Sequence, residues 1–201
     1  MTDVNAPAFW ERLYATGEDG WELGEPHPTL AHLLRTAPPP RGRVAVPGCG
    51  RGHDARLLAR HGYQVTAFDF VPSVLDRARA LARREGVVVD WQARDLFGLV
   101  PDYAGTFDGV WEYTCFCAIA PGRRGEYVEV VSRILKPGGW FLAVFFPVRP
   151  GTGGPPFPVD RDEVRRLLAP HFRIEDEGPP PRPVPARAAV EWLVRAVRRP
   201  A

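Results

Sequence analysis

The sequence predicts a doubly wound α/β fold with a mostly parallel sheet of seven strands. Short apolar segments of strand character alternate along the chain with amphipathic segments of helical period. Several strand segments are apolar at nearly every position, which is typical of parallel strands buried on both faces. Glycine or proline stands at most boundaries between the segments. Alternation of this kind favours a parallel sheet that helices cover on both sides.

The first half of the chain holds an arm and three strand segments. Residues 1–40 are rich in aromatic side chains, and the proline break "APPPRG" ends this N-terminal arm. Gly62 and Gly86 stand where helices are expected to stop. The predicted elements are strands at 43–46 ("RVAV"), 63–70 ("YQVTAFDF") and 87–95 ("VVVDWQARD"), and helices at 53–62 ("HDARLLARHG") and 72–86 ("PSVLDRARALARREG").

The second half continues the alternation and closes the sheet. The segment "KPGG" is expected to stop a helix just before a wholly apolar strand, "WFLAVFF". Asp160 and Glu163 form the pattern of a capping box at the start of the last helix. The predicted elements are strands at 106–113 and 140–146, helices at 125–135 and 160–172, and a closing antiparallel pair at 172–178 and 188–197.

Composition predicts one cytoplasmic domain over residues 1–201, with the arm at 1–40 and an α/β core at 41–201. The net charge is only +2 and the basic residues are scattered, which gives no case for nucleic acid as a partner. Neither a signal peptide nor an apolar run of membrane-spanning length is visible, so we expect no membrane association. The three cysteines do not make a disulfide framework, and the five histidines lack metal-ligand spacing. No metal site is expected, and the sequence does not indicate an oligomeric state.

The glycine-rich turn "VPGCGRGHD" follows the first strand and opens a helix. Glycines there let the backbone turn tightly and let a ligand approach. A dinucleotide site requires G-x-G-x-x-G, but His53 holds the sixth position, and Asp54 would repel a phosphate. A dehydrogenase is therefore disfavoured. S-adenosylmethionine has no phosphate and carries a positive sulfonium, and so it suits the turn better.

Ligands of such sheets bind outside the carboxyl ends of the strands. Polar or glycine residues follow apolar ones at four such ends: at Gly48–Gly52, at Asp69, at Asp95 and at Glu112–Thr114. Asp69, 21 residues after Gly48, is placed for ribose hydroxyls, and Asp95 for the adenine end of the cofactor. In the alternative interpretation, Asp69 only caps the next helix and does not contact a ligand. Four matching strand ends favour the cofactor site.

Several motifs resemble the thiopurine S-methyltransferase superfamily. These are "VPGCGRGHD", "FDF" at 68–70, "ARDLF", "EYTCFCAIAPGRR" and "LKPGGWFLAVFFP", and the likeness runs from about Trp10 to about Val159. The superfamily is a branch of the class I S-adenosylmethionine-dependent methyltransferases, which have a Rossmann-like sheet, and it includes thiocyanate, halide and thiol methyltransferases. The resemblance implies methyl transfer. It also implies cofactor contacts at Gly48, Cys49, Gly50, Asp69, Phe70, Asp95, Leu96 and Glu112. Asp54 and Phe97, which lie in the same motifs, are further candidates for cofactor contacts.

The resemblance also implies a role for the N-terminal arm. "FWERLYATGEDGWELG" (9–24) is similar to the family's arm, in which tryptophans fold over the bound cofactor, and this implies cofactor contacts for Trp10, Trp21 and Leu23. An aromatic lid excludes water, and its electron-rich face attracts a sulfonium cation. The tryptophans could also simply pin the arm to the core.

Two residues after the fourth strand are the catalytic candidates. Tyr113 stands where the thiopurine enzymes carry an arginine, and tyrosine there resembles the halide, thiocyanate and thiol branch. Against that, Phe146 stands where the plant halide enzymes have a tyrosine. Arg124 could attract an anionic acceptor or form a salt bridge that holds the following helix. Phe157, in "GGPPFPV", lies in a loop that either closes the acceptor side or is a surface turn.

The leading hypothesis is an S-adenosylmethionine-dependent methyltransferase that acts on a small soft nucleophile: a thiol, thiocyanate or a halide. A soft anion needs no general base, because positioning and desolvation can supply most of the catalysis. An aromatic thiol or thiopurine-like acceptor is the runner-up. A cofactor-binding sensor without turnover is the alternative from another class, and a nucleic-acid or protein methyltransferase is disfavoured by the lack of a recognition domain.

Overall fold

The computed structural model describes residues 3–200. Seven strands form a single sheet in the order β3-β2-β1-β4-β5-β7-β6. The strands are β1 Arg43–Pro47, β2 Gln64–Asp69, β3 Asp90–Ala93, β4 Phe107–Tyr113, β5 Leu135–Phe145, β6 Phe172–Gly178 and β7 Trp192–Arg198. The helices are α1 Pro7–Thr16, α2 Pro28–Thr36, α3 His53–Arg60, α4 Pro72–Arg84, α5 Val100–Tyr103, α6 Arg124–Ile134 and α7 Arg161–Leu168.

The topology confirms the predicted doubly wound sheet. Strands β1 to β5 run parallel to one another, and β7 lies antiparallel between β5 and β6. The central strands bury both faces, as their continuous apolar sequences predict. In β5, Phe141, Ala143 and Phe145 pack into one core, and Trp140 and Leu142 into the other.

Helix-forming signals begin several of the elements. Proline occupies the first turn of α1, α2 and α4, where its missing N–H costs nothing. The Asp160 side chain accepts a hydrogen bond from the Glu163 N–H, which confirms this half of the predicted capping box. No helix among residues 3–200 has the length and apolar character that crossing a bilayer requires.

Several boundaries differ from the predicted ones; among them, the last strand begins at Trp192 and not at residue 188, and α7 ends at Leu168 and not at residue 172. "KPGG" does not separate α6 from β5, because β5 already begins at Leu135. Leu135 pairs with Phe107 and Trp140 pairs with Gly109. The four residues of "KPGG" between Leu135 and Trp140 therefore bulge out of an otherwise continuous strand pairing. The third strand covers only Asp90–Ala93, a short segment at the sheet edge.

The N-terminal arm contains two helices that its aromatic composition did not suggest. Helix α1 packs Trp10, Leu13 and Tyr14 against α4, while α2 joins the core under β1 and α3. The turn between them is tied to the glycine-rich turn by two ion pairs of Arg51, with Asp19 at 2.6 Å and with Glu22 at 3.3 Å. The arm therefore lies over the carboxyl ends of the strands.

Candidate active site

The carboxyl ends of four neighbouring strands open into one cavity of about 640 Å³, which we call the main cavity. Gly48 follows β1, Asp69 ends β2, Asp95 follows β3 and Thr114 follows β4, and all four line this space. They meet because parallel strands end at the same edge of a sheet. The volume lies within the range of about 300–1,000 Å³ that is typical of small-molecule sites.

The glycine-rich turn leaves little room for a side chain at Gly48 or Gly50. Gly48 and Gly50 adopt positive φ angles of 58° and 51°, a region that glycine enters without strain. A Cβ atom on Gly48 would lie 2.8 Å from the Cys115 sulfur, and one on Gly50 would lie 3.1 Å from the Tyr14 hydroxyl. The turn is therefore a bare backbone surface at the start of α3, which fits the close approach of a cofactor.

Asp69 connects the turn to the main cavity. One carboxylate oxygen accepts a hydrogen bond from the Gly50 N–H at 2.9 Å, and the other accepts one from the Val71 N–H at 3.0 Å. Burial raises the pKa of Asp69 to about 6, although these hydrogen bonds act in the opposite direction. A carboxylate has about four acceptor positions, so about two remain for a ligand.

A second group of predicted residues lines the main cavity beyond β3. The Asp95 carboxylate accepts a hydrogen bond from the Phe97 N–H at 3.0 Å, which shapes the turn after the strand. The guanidinium carbon of Arg123 lies 3.5 Å from the centroid of the Phe97 ring. Phe70, Asp95, Leu96 and Phe97 together form this end of the space.

Aromatic side chains of the arm form another wall of the main cavity. Trp21 packs edge to face against both Trp10 and Tyr14, with ring centroids 5.4 Å apart in each pair. The Trp10 indole N–H donates to the carbonyl of Val4 at 2.8 Å, which fixes its orientation. Burial raises the pKa of Tyr14 well above its usual value, and the nearby Asp69 adds to the effect.

Other predicted site residues, four cofactor candidates and the catalytic candidate Tyr113, lie outside the main cavity. Leu23, Cys49, Gly50, Asp54 and Tyr113 line a second space of about 70 Å³, which shares Gly48 and Thr114 with the main cavity. The expected cofactor contact of Asp54 does not fit its position. Its two oxygens accept hydrogen bonds from the His27 N–H and the Trp111 indole, both at 2.7 Å, and so it ties the arm to β4.

Glu112 also lies outside the main cavity, so the expected cofactor contact does not fit. Its side chain is 1% exposed and accepts hydrogen bonds from the Phe116 N–H, at 2.8 Å, and from the Tyr127 hydroxyl. Burial raises the pKa of Glu112 to about 7, although these hydrogen bonds act in the opposite direction. The carboxyl group organises the turn after β4 from within the core.

We expect Glu112→Gln to reduce the pH dependence of stability. A raised pKa in the folded state means that stability is lost as the pH rises, by about 1.4 kcal/mol per unit between the unfolded and folded pKa values. Between pH 5 and pH 7 the free energy of unfolding should therefore fall about 2–3 kcal/mol more in the wild type than in the variant. Denaturant titrations at the two pH values measure this difference. An equal change in the free energy of unfolding in both proteins would contradict the prediction.

The catalytic role expected of Arg124 does not fit its position either. Arg124 is 2% exposed, pairs with Glu163 of α7 at 2.8 Å and donates to the carbonyl of Pro158 at 2.9 Å. It therefore holds α6, α7 and the preceding loop together. In that loop, Pro155 and Pro156 line the main cavity, while the Phe157 N–H donates to the carbonyl of Cys117.

Arg187 lines the main cavity, and sequence reasoning missed it. Its guanidinium donates to the Tyr113 hydroxyl at 2.7 Å and to the carbonyl of Gly20 at 2.9 Å, and lies 4.6 Å from the centroid of the Phe146 ring. Nothing in the proline-rich segment around Arg187 signals a contact with a strand 74 residues earlier. Tyr14 was missed too, although its spacing of four from Trp10 would have revealed it once α1 was recognised.

Comparison with known proteins agrees with this geometry. The sequence profile of the family described as thiopurine S-methyltransferase matches residues 5–179. The chain belongs to this family. It is accordingly an S-adenosylmethionine-dependent methyltransferase, as the strand-end residues and the motifs predict.

Individual relatives of this methyltransferase extend the comparison. A probable thiol methyltransferase 2 of Arabidopsis thaliana is 33% identical over 172 residues, which cover 85% of this chain and 75% of that protein. Thiocyanate methyltransferase 1 of the same plant is 30% identical over 189 residues, which cover 92% and 82%. Among solved structures, 1,6-didemethyltoxoflavin-N1-methyltransferase of Burkholderia thailandensis, with S-adenosylhomocysteine bound, superposes with a TM-score of 0.74 at 26% identity, covering 97% and 87%.

Proposed function

We propose that this methyltransferase methylates a small soft nucleophile that binds as an anion: a thiolate, thiocyanate or a halide. Arg187 carries the proposal. Three other arginines line the main cavity, and each is paired with a carboxylate: Arg12 with Glu18, Arg94 with Asp102 and Arg123 with Glu126. Within residues 3–200, Arg187 has no carboxylate within 4.0 Å, and so its charge is available to an anion.

The walls of the main cavity support the same chemistry. Bound S-adenosylmethionine supplies a methyl carbon that a lone pair of the acceptor attacks, and the neutral thioether S-adenosylhomocysteine leaves. Leu13, Ile119, Phe146 and the two prolines 155 and 156 give the main cavity apolar walls, which reduce the solvation of an acceptor bound beside Arg187. No histidine lines the main cavity within the described residues, and an acceptor that is already an anion needs none.

We propose the contacts with the cofactor from the positions of the residues already described. Asp69 offers its remaining acceptor positions to ribose hydroxyls, and the bare turn at Gly48 accommodates the methionyl part. Phe70, Asp95, Leu96 and Phe97 surround the adenine, while Trp10 and Trp21 cover the sulfonium. Aromatic faces attract such a cation by about 0.5–2 kcal/mol.

An aromatic thiol is the second candidate acceptor. The apolar walls favour it, because Phe9, Ile119, Phe146 and the two prolines offer flat surfaces to a ring. The thiol and thiocyanate methyltransferase names of the plant relatives favour the smaller acceptors. Both candidates place negative charge near Arg187.

Calorimetric titration with S-adenosylhomocysteine, with NADH as the control, tests the proposal first. A turnover screen over iodide, thiocyanate, hydrosulfide, thiophenol and a thiopurine then follows. We expect binding of S-adenosylhomocysteine only, with turnover of the small anions. Turnover of thiophenol and the thiopurine alone would favour the second candidate, and binding without any turnover would contradict both.

We expect Trp21→Ala to raise the Kd of S-adenosylmethionine, whose sulfonium the ring would face, about tenfold. Removing the ring takes away an aromatic face worth about 1 kcal/mol and opens the main cavity to water. Trp21→Phe keeps an aromatic face and should retain most of the affinity. If Trp21→Ala binds as the wild type does, the side chain serves only to anchor the arm.

We further propose one cytoplasmic domain whose partner is a small molecule. The arm, residues 1–40, packs on the core, residues 41–201, through α1 and α4, and both contribute walls to the main cavity. All three cysteines are free thiols, which suits a reducing compartment. The scattered basic residues do not favour nucleic acid.

A further inference from the structure

Tyr113 stands directly behind Arg187. Its hydroxyl donates to a carboxylate oxygen of Glu191 at 2.9 Å and accepts a hydrogen bond from Arg187 at 2.7 Å. A tyrosine hydroxyl has one hydrogen, so donation to Glu191 directs a lone pair towards the guanidinium. The Tyr113 ring lines the second space, not the main cavity.

Glu191 is itself held by three donors. It is 3% exposed; one oxygen lies near Tyr113 and 3.2 Å from Nε2 of His27, and the other accepts from the Val184 N–H at 2.9 Å. Nδ1 of His27 accepts a hydrogen bond from the Thr29 N–H, so the ring proton is on Nε2 and faces the carboxylate. Burial raises the pKa of Glu191, but these donors outweigh it and the pKa lies below its usual value.

The network immobilises a side chain that is otherwise flexible. An arginine loses much rotamer freedom when it is fixed, and a partner that fixes it beforehand removes this cost from ligand binding. Tyr113 and the Gly20 carbonyl each use one hydrogen of the guanidinium. The remaining three N–H groups stay free for an anion.

We infer that Tyr113 is a positioning residue, which holds Arg187 towards the main cavity and does not touch the acceptor. This inference rests on the proposed function, in which Arg187 binds the anion. It differs from the catalytic role that the sequence suggested for Tyr113. The buried Tyr113–Glu191–His27 chain then acts on the reaction only through the orientation of one guanidinium.

A double-mutant cycle tests this inference. Thiocyanate is titrated into the protein saturated with S-adenosylhomocysteine, and kcat and KM are measured with thiocyanate as the acceptor. We expect Tyr113→Phe to raise Kd and KM about tenfold and to change kcat less than twofold. In an Arg187→Met background, Tyr113→Phe should leave kcat/KM unchanged. Equal losses in both backgrounds, or a loss confined to kcat, would overturn the inference.

Two controls make the outcomes distinct. Tyr63→Phe removes a hydroxyl that donates to the carbonyl of Pro39 at 2.6 Å, far from the main cavity, and should leave thiocyanate binding unchanged. Weaker binding of S-adenosylhomocysteine in Tyr113→Phe would indicate a general disturbance and would also overturn the inference. The thiocyanate titration needs no turnover, so failure of methyl transfer and failure of positioning are separate results.

Discussion

Replacing Asp69 by asparagine is expected to weaken the binding of S-adenosylhomocysteine about 100-fold. The carboxylate ends β2, lines the main cavity and has acceptor positions beyond those that the Gly50 and Val71 N–H groups occupy. Asparagine keeps one acceptor oxygen, so about one hydrogen bond to a charged group is lost, which contributes about 1.5–3 kcal/mol. The asparagine amide also turns an N–H group towards a backbone donor, so the variant should be less stable as well.

The pH dependence separates the role in binding from the role in folding. Because the pKa of Asp69 lies at about 6, the wild type should lose affinity for S-adenosylhomocysteine as the pH falls through 6, and Asp69→Asn should not. Calorimetry between pH 5 and pH 8 measures this. Asp76→Asn, an exposed carboxylate on α4 that pairs with Arg79, is the matched control and should change nothing. An unchanged Kd in Asp69→Asn would remove the ribose assignment.

Arg187→Met is expected to raise the KM for thiocyanate or iodide by about 10- to 100-fold. A hydrogen bond between a guanidinium and an anion contributes about 1.5–3 kcal/mol, and methionine keeps the apolar contact with Phe146 while removing the charge. S-adenosylhomocysteine should still bind with nearly the affinity of the wild type. Initial rates over a range of acceptor concentrations give KM and kcat separately.

Two further substitutions calibrate that result. Arg187→Lys keeps the charge but not the planar fork, so it cannot contact Tyr113 and Gly20 together and should fall between the wild type and Arg187→Met. Arg12→Met removes an arginine that also lines the main cavity but pairs with Glu18 and is about half exposed. It should change KM less than twofold. An unchanged KM in Arg187→Met would show that the anion binds elsewhere.

The fold was predictable because strands that are buried on both faces are apolar at nearly every position of the sequence. Continuous apolar segments indicated parallel strands, and the residues just after them then had to meet at one edge. Gly48, Asp69, Asp95 and Thr114 line the main cavity for that reason. The boundaries of β5 were less visible, because a bulge can hold glycine and proline within a continuous strand pairing.

The direction of individual side chains was not predictable to the same degree. Glu112 and Asp54 stand beside cavity residues along the chain, yet the Glu112 side chain lies in the core and Asp54 lines the second space, and donors of the protein occupy both carboxylates. Arg187 reaches the main cavity through contacts with residues far away in sequence, and no local pattern reports such contacts. The family motifs indicated which segments form the site, but the hydrogen-bond partners of each side chain decide which residues face a ligand.

The position of the arm makes one wall of the main cavity depend on contacts outside the cavity. Trp10, Tyr14 and Trp21 form this wall, and the turn beside them is held by Arg51 and Arg187. Arg51 does not itself line the main cavity. The placement of the aromatic wall is therefore set in part by the ion pairs that join the arm to the glycine-rich turn.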